Sequence, residues 1–329
     1  MQQLTSILVV VSRTAADRPL LEKAVRLARS TGAHLHLFSC DAVLARILLR
    51  AYDSAEAEKS WHLCLQEHLA YLKSLRATVD AAGVRFSLDA ACHTPLYEGI
   101  NRKVREVNPD LVLKCPAGLH PLRRFTLDPN DWHLVRSCPS SLMLVRPRPW
   151  RALPRLAALV NLADEQSPRL PGVIVHAGEY LALGCRGELD VIFSESSTQE
   201  PGRAQRQEAL HGLCREFHLP REHAYVLDGC PDETLPEFTA RQDYDALLLG
   251  ALTHRSALAA LAGALTGKLA DRLECDFILI KEPGRATQEL GFTEKLQESA
   301  SGQDIRLTPV AATRNHKGPG ILWQTLFGD

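Results

Sequence analysis

Short apolar strands and amphipathic helices alternate along this chain, and the same order of them is written twice. "SILVVV" (Ser6–Val11) is an apolar, β-branched run of the kind seen in strands covered on both faces. "ADRPLLEKAVRLARSTGAH" follows, with Leu20, Leu21, Ala24, Leu27 and Ala28 on one helical stripe and Gly32 as its stop. "HLHLFSC" is the next strand. A long helix then carries an apolar stripe through Trp61, Leu65, Leu69, Leu72, Leu75 and Val79. "RFSLDAACH" alternates like a strand, and "TPLYEGINRKVREVN" turns Tyr97, Ile100, Val104 and Val107 to one helical face. "DLVLK" and "SLMLVR" complete the set, with the helix "DWHLVRSCP" between them. Such alternation predicts a doubly wound α/β fold with a parallel sheet.

"RPRPWRALPR" (Arg146–Arg155) breaks the pattern with prolines and positive charges and reads as a linker. The alternation then restarts. "LAALVNLADE" mirrors the first strand, "LPGVIVHAGEYLA" the first helix and "ELDVIFSES" the second strand. The closing pieces match best: "RSCPSSLMLVR" against "RLECDFILIK", each a helix end, a cysteine and an apolar strand. A period of about half the chain signals a duplicated domain and not a solenoid. The expected organisation is a domain over 1–146, a linker over 147–155, a second domain over 156–283 and a polar tail over 284–329. The two final strands, "SLMLV" and "FILI", are apolar edges that need cover, so they are expected to pack against each other. In the tail, "ILWQTLF" (Ile321–Phe327) is apolar enough to be expected to dock.

Two halves that each close on strand, loop, helix, cysteine and strand resemble a tandem universal stress protein. "DLVLK", "DWHLVRSCP" and the following Pro149–Trp150 are similar to the E-type, two-domain members in particular. The resemblance implies two tandem doubly wound parallel-sheet sandwiches of the adenine nucleotide alpha hydrolase-like kind. It also implies a phosphate loop, G-x2-G-x9-G-[ST], after the fourth strand of each half. In the second half Gly250 and Gly263 match at the family spacing, Thr253 stands where the second glycine belongs, and Ala264 where the Ser/Thr belongs. The acidic residue that the family carries after its first strand is Asn161 here. In the first half the loop is absent: Lys114 is read at the first glycine's place and Ser12 at the acidic position. The resemblance therefore implies a non-catalytic, cytoplasmic stress-response protein. Its second domain would take ATP or ADP weakly through Gly250, Thr253, Gly263, Ala264 and Asn161. Its domains would form an intramolecular pseudo-dimer or a homo-oligomer. The alternatives are a slow ATPase or a binder of another phosphorylated small molecule, and a nucleotide-independent protein scaffold.

The glycines matter because a backbone N–H reaches a phosphate oxygen most easily where no Cβ intervenes. "GALTGKL" (Gly263–Leu269) has one residue too few between its glycines for a P-loop, and Leu269 in place of Ser/Thr. His34 and His36 share a strand face and Cys92–His93 ends another strand. Such pairs fall short of the three or four converging ligands of a metal site, so no metal ligand is assigned. Cys138-Pro139 and Cys275 mark helix-to-strand junctions where a small cysteine packs. In Asp131-Trp132-His133, Asp131 is expected to cap the last helix of the first half, and no G-x-S-x-G elbow supplies a nucleophile for a triad. For the ATPase alternative, Asp164, shortly after Asn161, is the acidic candidate. With 38 Lys and Arg against 39 Asp and Glu, nothing recommends a nucleic-acid partner. No apolar run reaches the length that spans a membrane, and nine scattered cysteines without a CxxC read as free thiols.

Overall fold

The computed structural model describes residues 4–48, 54–119, 125–162, 168–195, 203–229, 231–250 and 272–281. The first half runs β1 (Ser6–Val11), α1 (Asp17–Thr31), β2 (His34–Asp41), α2 (Val43–Leu48), α3 (Ser54–Asp80), β3 (Phe86–Cys92), α4 (Leu96–Val107) and β4 (Leu111–Lys114). It closes with a small hairpin, β5 (Gly118–Leu119) and β6 (Phe125–Thr126), then α5 (Pro129–Ser137) and β7 (Ser141–Leu144). The second half runs β8 (Arg155–Val160), α6 (Leu170–Cys185), β9 (Glu188–Glu195), α7 (Arg203–Glu216), β10 (Ala224–Asp228), α8 (Pro231–Gln242), β11 (Ala246–Gly250) and β12 (Asp276–Ile280).

All the long strands form one ten-stranded sheet in the order β10-β9-β8-β11-β12-β7-β4-β1-β2-β3. Every neighbouring pair is parallel except β7 with β12, which run antiparallel through Leu142↔Leu279, Met143↔Ile278 and Leu144↔Phe277. The two final strands thus cover each other's apolar edges. Strand alternation sends successive side chains to opposite faces. Ile7, Val9 and Val11 of β1 join Leu156, Ala158 and Val160 of β8 in a core under α1, α3, α6 and α7, which continues across the join. Leu8, Val10, Leu247 and Leu249 face α4, α5 and α8 on the other side.

The join repeats itself about a pseudo-twofold axis through the Met143–Ile278 pair. The Arg146 guanidinium donates to Leu273 O, and the Lys281 ammonium donates to Cys138 O. Arg146 N donates to Asp276 Oδ1 at 2.7 Å, and Lys281 N donates to Ser141 Oγ at 3.3 Å. Asp276 is fully buried and also takes the Lys23 ammonium of α1 at 2.7 Å and the Trp150 indole N–H at 2.7 Å. Burial pushes the Asp276 carboxyl above its ordinary range, and the Lys23 ammonium opposes that shift.

The basic stretch after β7 is not a solvated face. Arg148 donates to Tyr244 O, Arg151 pairs with Asp243 and Asp245, and Arg155 pairs with Asp190 at 2.8 Å. Its charges are used to fasten the chain to the second half. One sequence expectation is corrected at α5. Asp128 is the N-cap, accepting from Asp131 N at 2.7 Å, and Asp131 lies in the first turn, wholly buried. Trp132 beside it is half-buried.

Candidate functional site

In an open α/β sheet, ligands bind at the carboxyl ends of the strands, at the point where the strand order reverses. Each half has one such crevice, between β1 and β4 and between β8 and β11.

In the first half the chain's own side chains occupy the groups an anion would use. After β1, Asp17 accepts from Ser12 N at 3.0 Å, Thr14 N at 3.1 Å and the Tyr71 hydroxyl at 2.7 Å. A carboxylate therefore already sits on backbone donors of the loop between β1 and α1. After β4, the buried Lys114 ammonium pairs with Asp131 at 2.6 Å and donates to Cys115 O at 3.1 Å. Asp131 also accepts from Ala117 N at 3.2 Å. Burial pushes the Asp131 carboxyl up from its ordinary range, against the pull of the Lys114 ammonium.

The sheet register corrects which residue replaces the glycine. Lys114 lies opposite Leu144 and Leu249 lies opposite Leu279, the equivalent position across the pseudo-twofold. Gly250, opposite Ile280, is therefore level with Cys115 and not with Lys114. Cys115 is buried with its Sγ on Val145 O at 3.0 Å, and burial pushes its thiol up to about 12. Lys114 points to the other face, toward α5.

In the second half, Gly250 ends β11 and Asn161 follows β8, so the adjacent strands bring them to the same crevice. Gly250 is buried and Asn161 partly exposed. The space a side chain would fill at Gly250 is taken by α6: a Cβ there would lie 2.6 Å from Leu170 Cδ2 and 3.1 Å from its Cγ. Its missing Cβ admits a leucine. Gly250→Ala is accordingly expected to destabilise the protein by about 1–3 kcal/mol, the usual effect of overpacking, read from the urea unfolding midpoint. An unchanged midpoint would mean that Leu170 moves aside freely. Thr253, Gly263, Ala264 and Asp164 lie outside the described residues, as does Ile321–Phe327.

A cluster that resembles a catalytic constellation lies at the opposite, amino-terminal end of the second half's strands. Buried Asp190 accepts from His223 Nδ1 at 2.5 Å, the Tyr244 hydroxyl at 2.6 Å and Arg155 at 2.8 Å. It binds β8, β9 and the starts of β10 and β11 together, at the end of the strands away from the β8–β11 crevice. The thiols of Cys138 and Cys275 are raised by burial, the latter to about 12, which suits packing and not thiolate chemistry. Sequence reading passed over the Lys114–Asp131 and Lys23–Asp276 pairs. Their signal was present: a lysine closing the apolar run "LVLK" and an aspartate opening "DFILI" each need an opposite charge once buried.

Comparison with known proteins gives this arrangement relatives. The universal stress protein family profile matches residues 4–146. Universal stress protein E of Salmonella typhi is 25% identical over 297 residues, covering 84% of this chain and 94% of the relative. Universal stress protein E of Escherichia coli K12 is likewise 25% identical, with 84% and 93% covered. Among solved structures, a functionally unknown protein from Pseudomonas aeruginosa PAO1 superposes with a TM-score of 0.71 at 23% identity, covering 89% of this chain and 98% of that one. A universal stress protein from Archaeoglobus fulgidus gives 0.63 at 11% identity, with 84% and 98% covered. The fold is that of the universal stress proteins.

Proposed function

Because residues 4–146 match the universal stress protein family, and E-type relatives align along most of the chain, we propose a non-catalytic, cytoplasmic stress-response protein built of two such domains. The domains are 1–146 and 156–283, joined by 147–155 and followed by the tail 284–329. Any adenine nucleotide, ATP or ADP, is taken weakly and by the second domain alone.

The observation that carries this reading is the difference between the two crevices. In the first, Asp17 holds the backbone donors after β1, and Lys114 is committed to Asp131. A phosphate entering there would have to displace a carboxylate. In the second, Gly250 and Asn161 flank the crevice, with Gly263 as the further glycine at the family spacing. Because Leu170 fills the hollow at Gly250, the protein would hold a phosphate through backbone N–H groups farther along the loop, with Asn161 beside them. Thr253 carries a Cβ where close approach is wanted, so the affinity is modest, about micromolar or weaker.

Calorimetric titration of ATP and ADP into the parent protein and into the double variant Thr253→Gly with Ala264→Ser tests this. The variant is expected to bind about five- to 150-fold more tightly, or roughly 1–3 kcal/mol, from one recovered approach and one charge-assisted hydrogen bond. If neither protein binds at millimolar nucleotide, the second reading takes over. That reading is a nucleotide-independent scaffold, and the seating of Leu170 against Gly250 favours it.

A further inference from the structure

At the carboxyl end of the first half's sheet, away from the β1–β4 crevice, four side chains with metal-binding chemistry meet between β2, β3 and α3. Asp41 ends β2 and Cys92 ends β3. Cys64 and His68 lie one turn apart on α3, both on the face it turns to the sheet. The donor atoms of Asp41, Cys64 and His68 all lie within 4.8 Å of one another. His68 Nε2 stands 3.3 Å from Asp41 Oδ2, Cys64 Sγ stands 3.7 Å from that same oxygen, and Cys92 Sγ is 3.6 Å from Cys64 Sγ. We propose that Asp41, Cys64 and His68 bind a zinc-class divalent ion, with Cys92 turning in as the fourth ligand.

Tetrahedral zinc holds oxygen, nitrogen and sulfur at about 2.0–2.3 Å, so its ligand atoms stand about 3.3–3.8 Å apart. The three separations above fall in that range. The donor types, two thiols with an imidazole and one carboxylate, select zinc over magnesium or calcium, which take oxygen. The surroundings orient the ligands as a metal site requires. Ser39 Oγ contacts His68 Nδ1 at 2.6 Å and donates to Val11 O at 3.4 Å. With its proton on Val11, the hydroxyl accepts from Nδ1–H, and the Nε2 lone pair then faces the Asp41 carboxylate. A cation between Nε2 and Oδ2 then takes the place of the proton that His68 Nε2 shares with Asp41 in the metal-free tautomer. The other Asp41 oxygen is occupied by Leu44 N at 2.8 Å, which leaves Oδ2 for the ion. His68, Cys64 and Cys92 are buried, whereas the Asp41 side chain is a quarter exposed and marks the way in. On binding, each ligating thiol gives its proton to solvent and becomes a thiolate, so uptake releases acid.

The test uses the full-length chain, purified reduced and stripped with a chelator, then titrated with zinc and separately with cobalt. One equivalent of zinc should be retained after gel filtration. Cobalt should give the intense visible bands of a tetrahedral ion with a near-ultraviolet thiolate-to-cobalt transition. Asp41→Asn, at the exposed ligand, should weaken zinc binding. Cys64→Ser should abolish the thiolate transition or reduce it to what Cys92 alone gives. Ser39→Ala should lower affinity about ten- to a hundredfold, as loss of a group that orients a metal-bound histidine does. Far-ultraviolet circular dichroism of each metal-free variant separates lost binding from lost folding, and Asp41→Asn, being partly exposed, keeps the test open if a buried variant fails to fold. The proposal is overturned if the reduced parent retains no zinc, if cobalt shows only octahedral, thiolate-free spectra, or if Asp41→Asn and Ser39→Ala both bind as the parent does. A Cys64–Cys92 disulfide in the isolated protein, with no zinc uptake after its reduction, would also overturn it.

Discussion

Replacing Asp276 by alanine is expected to lower the stability of the intact protein by about 3–5 kcal/mol, the range for removing one partner of a buried ion pair. The carboxylate accepts from Lys23, Trp150 and Arg146 N, three donors from the first half and the segment that leaves it. Its removal leaves an ammonium 2% exposed with no counter-charge, and an indole and a backbone N–H without an acceptor. Against a total of about 5–15 kcal/mol for a typical protein, that is a large share. The double change Lys23→Met with Asp276→Leu should recover most of the loss, because an apolar pair of similar volume removes both desolvated charges together. Urea unfolding followed by circular dichroism measures all three proteins. A loss below about 1 kcal/mol for Asp276→Ala would mean that water reaches Lys23 and that the pair does not hold the halves together.

The second large effect is expected at Lys114. Lys114→Met leaves Asp131 buried without its ammonium, at a cost of about 3–5 kcal/mol near neutral pH, and makes stability depend on pH. Burial already raises the Asp131 carboxyl, and losing Lys114 removes the main opposing influence. With the folded-state pKa above the unfolded value of about 3.9, the folded protein holds more protons than the unfolded chain between the two values. Stability must then fall as pH rises from about 4 upward. Unfolding midpoints of Lys114→Met and of Lys114→Met with Asp131→Leu, measured across that range, should differ in slope, with the double variant losing the part contributed by Asp131. Equal slopes would show that Asp131 finds a second partner or reaches solvent.

Much of this architecture is legible in the sequence because it follows from local periodicity. Apolar runs such as "SILVVV" and "ALLLG" have no polar face, and a strand with no polar face must be covered on both sides. The meeting of the two final strands was also legible, from their apolar edges; what sequence reading missed was which individual side chains of distant segments face each other. Lys114 was read at the place of the family's first glycine, and only the hydrogen-bonding registers of β4 with β7 and of β11 with β12 show Cys115 at that level. Asp131 has the sequence neighbourhood of a helix cap, yet Asp128 takes that role and frees Asp131 to turn inward to Lys114. On α3 the leucines define the stripe that periodicity detects. The side chains most deeply set against the sheet nevertheless include Cys64 and His68, while Leu65 and Leu69 are half-buried. A Cys-x3-His spacing was the available signal, and its partners Asp41 and Cys92 are too far away in sequence to have been paired with it.

The antiparallel meeting of β7 and β12 has a geometric corollary. Within each half the strands are parallel, so all their carboxyl ends point one way; across the join that direction reverses. The first half's cluster around Asp41 and His68 and the second half's crevice at Gly250 and Asn161 therefore open toward opposite ends of the molecule. The chain is a bipolar object with unlike poles. Among the described residues the two poles face apart, so two binders, one at each pole, need not collide. An influence of one pole on the other has the shared strands and the clamp at Asp276 to travel through, and also α1, which packs against α6 across the join.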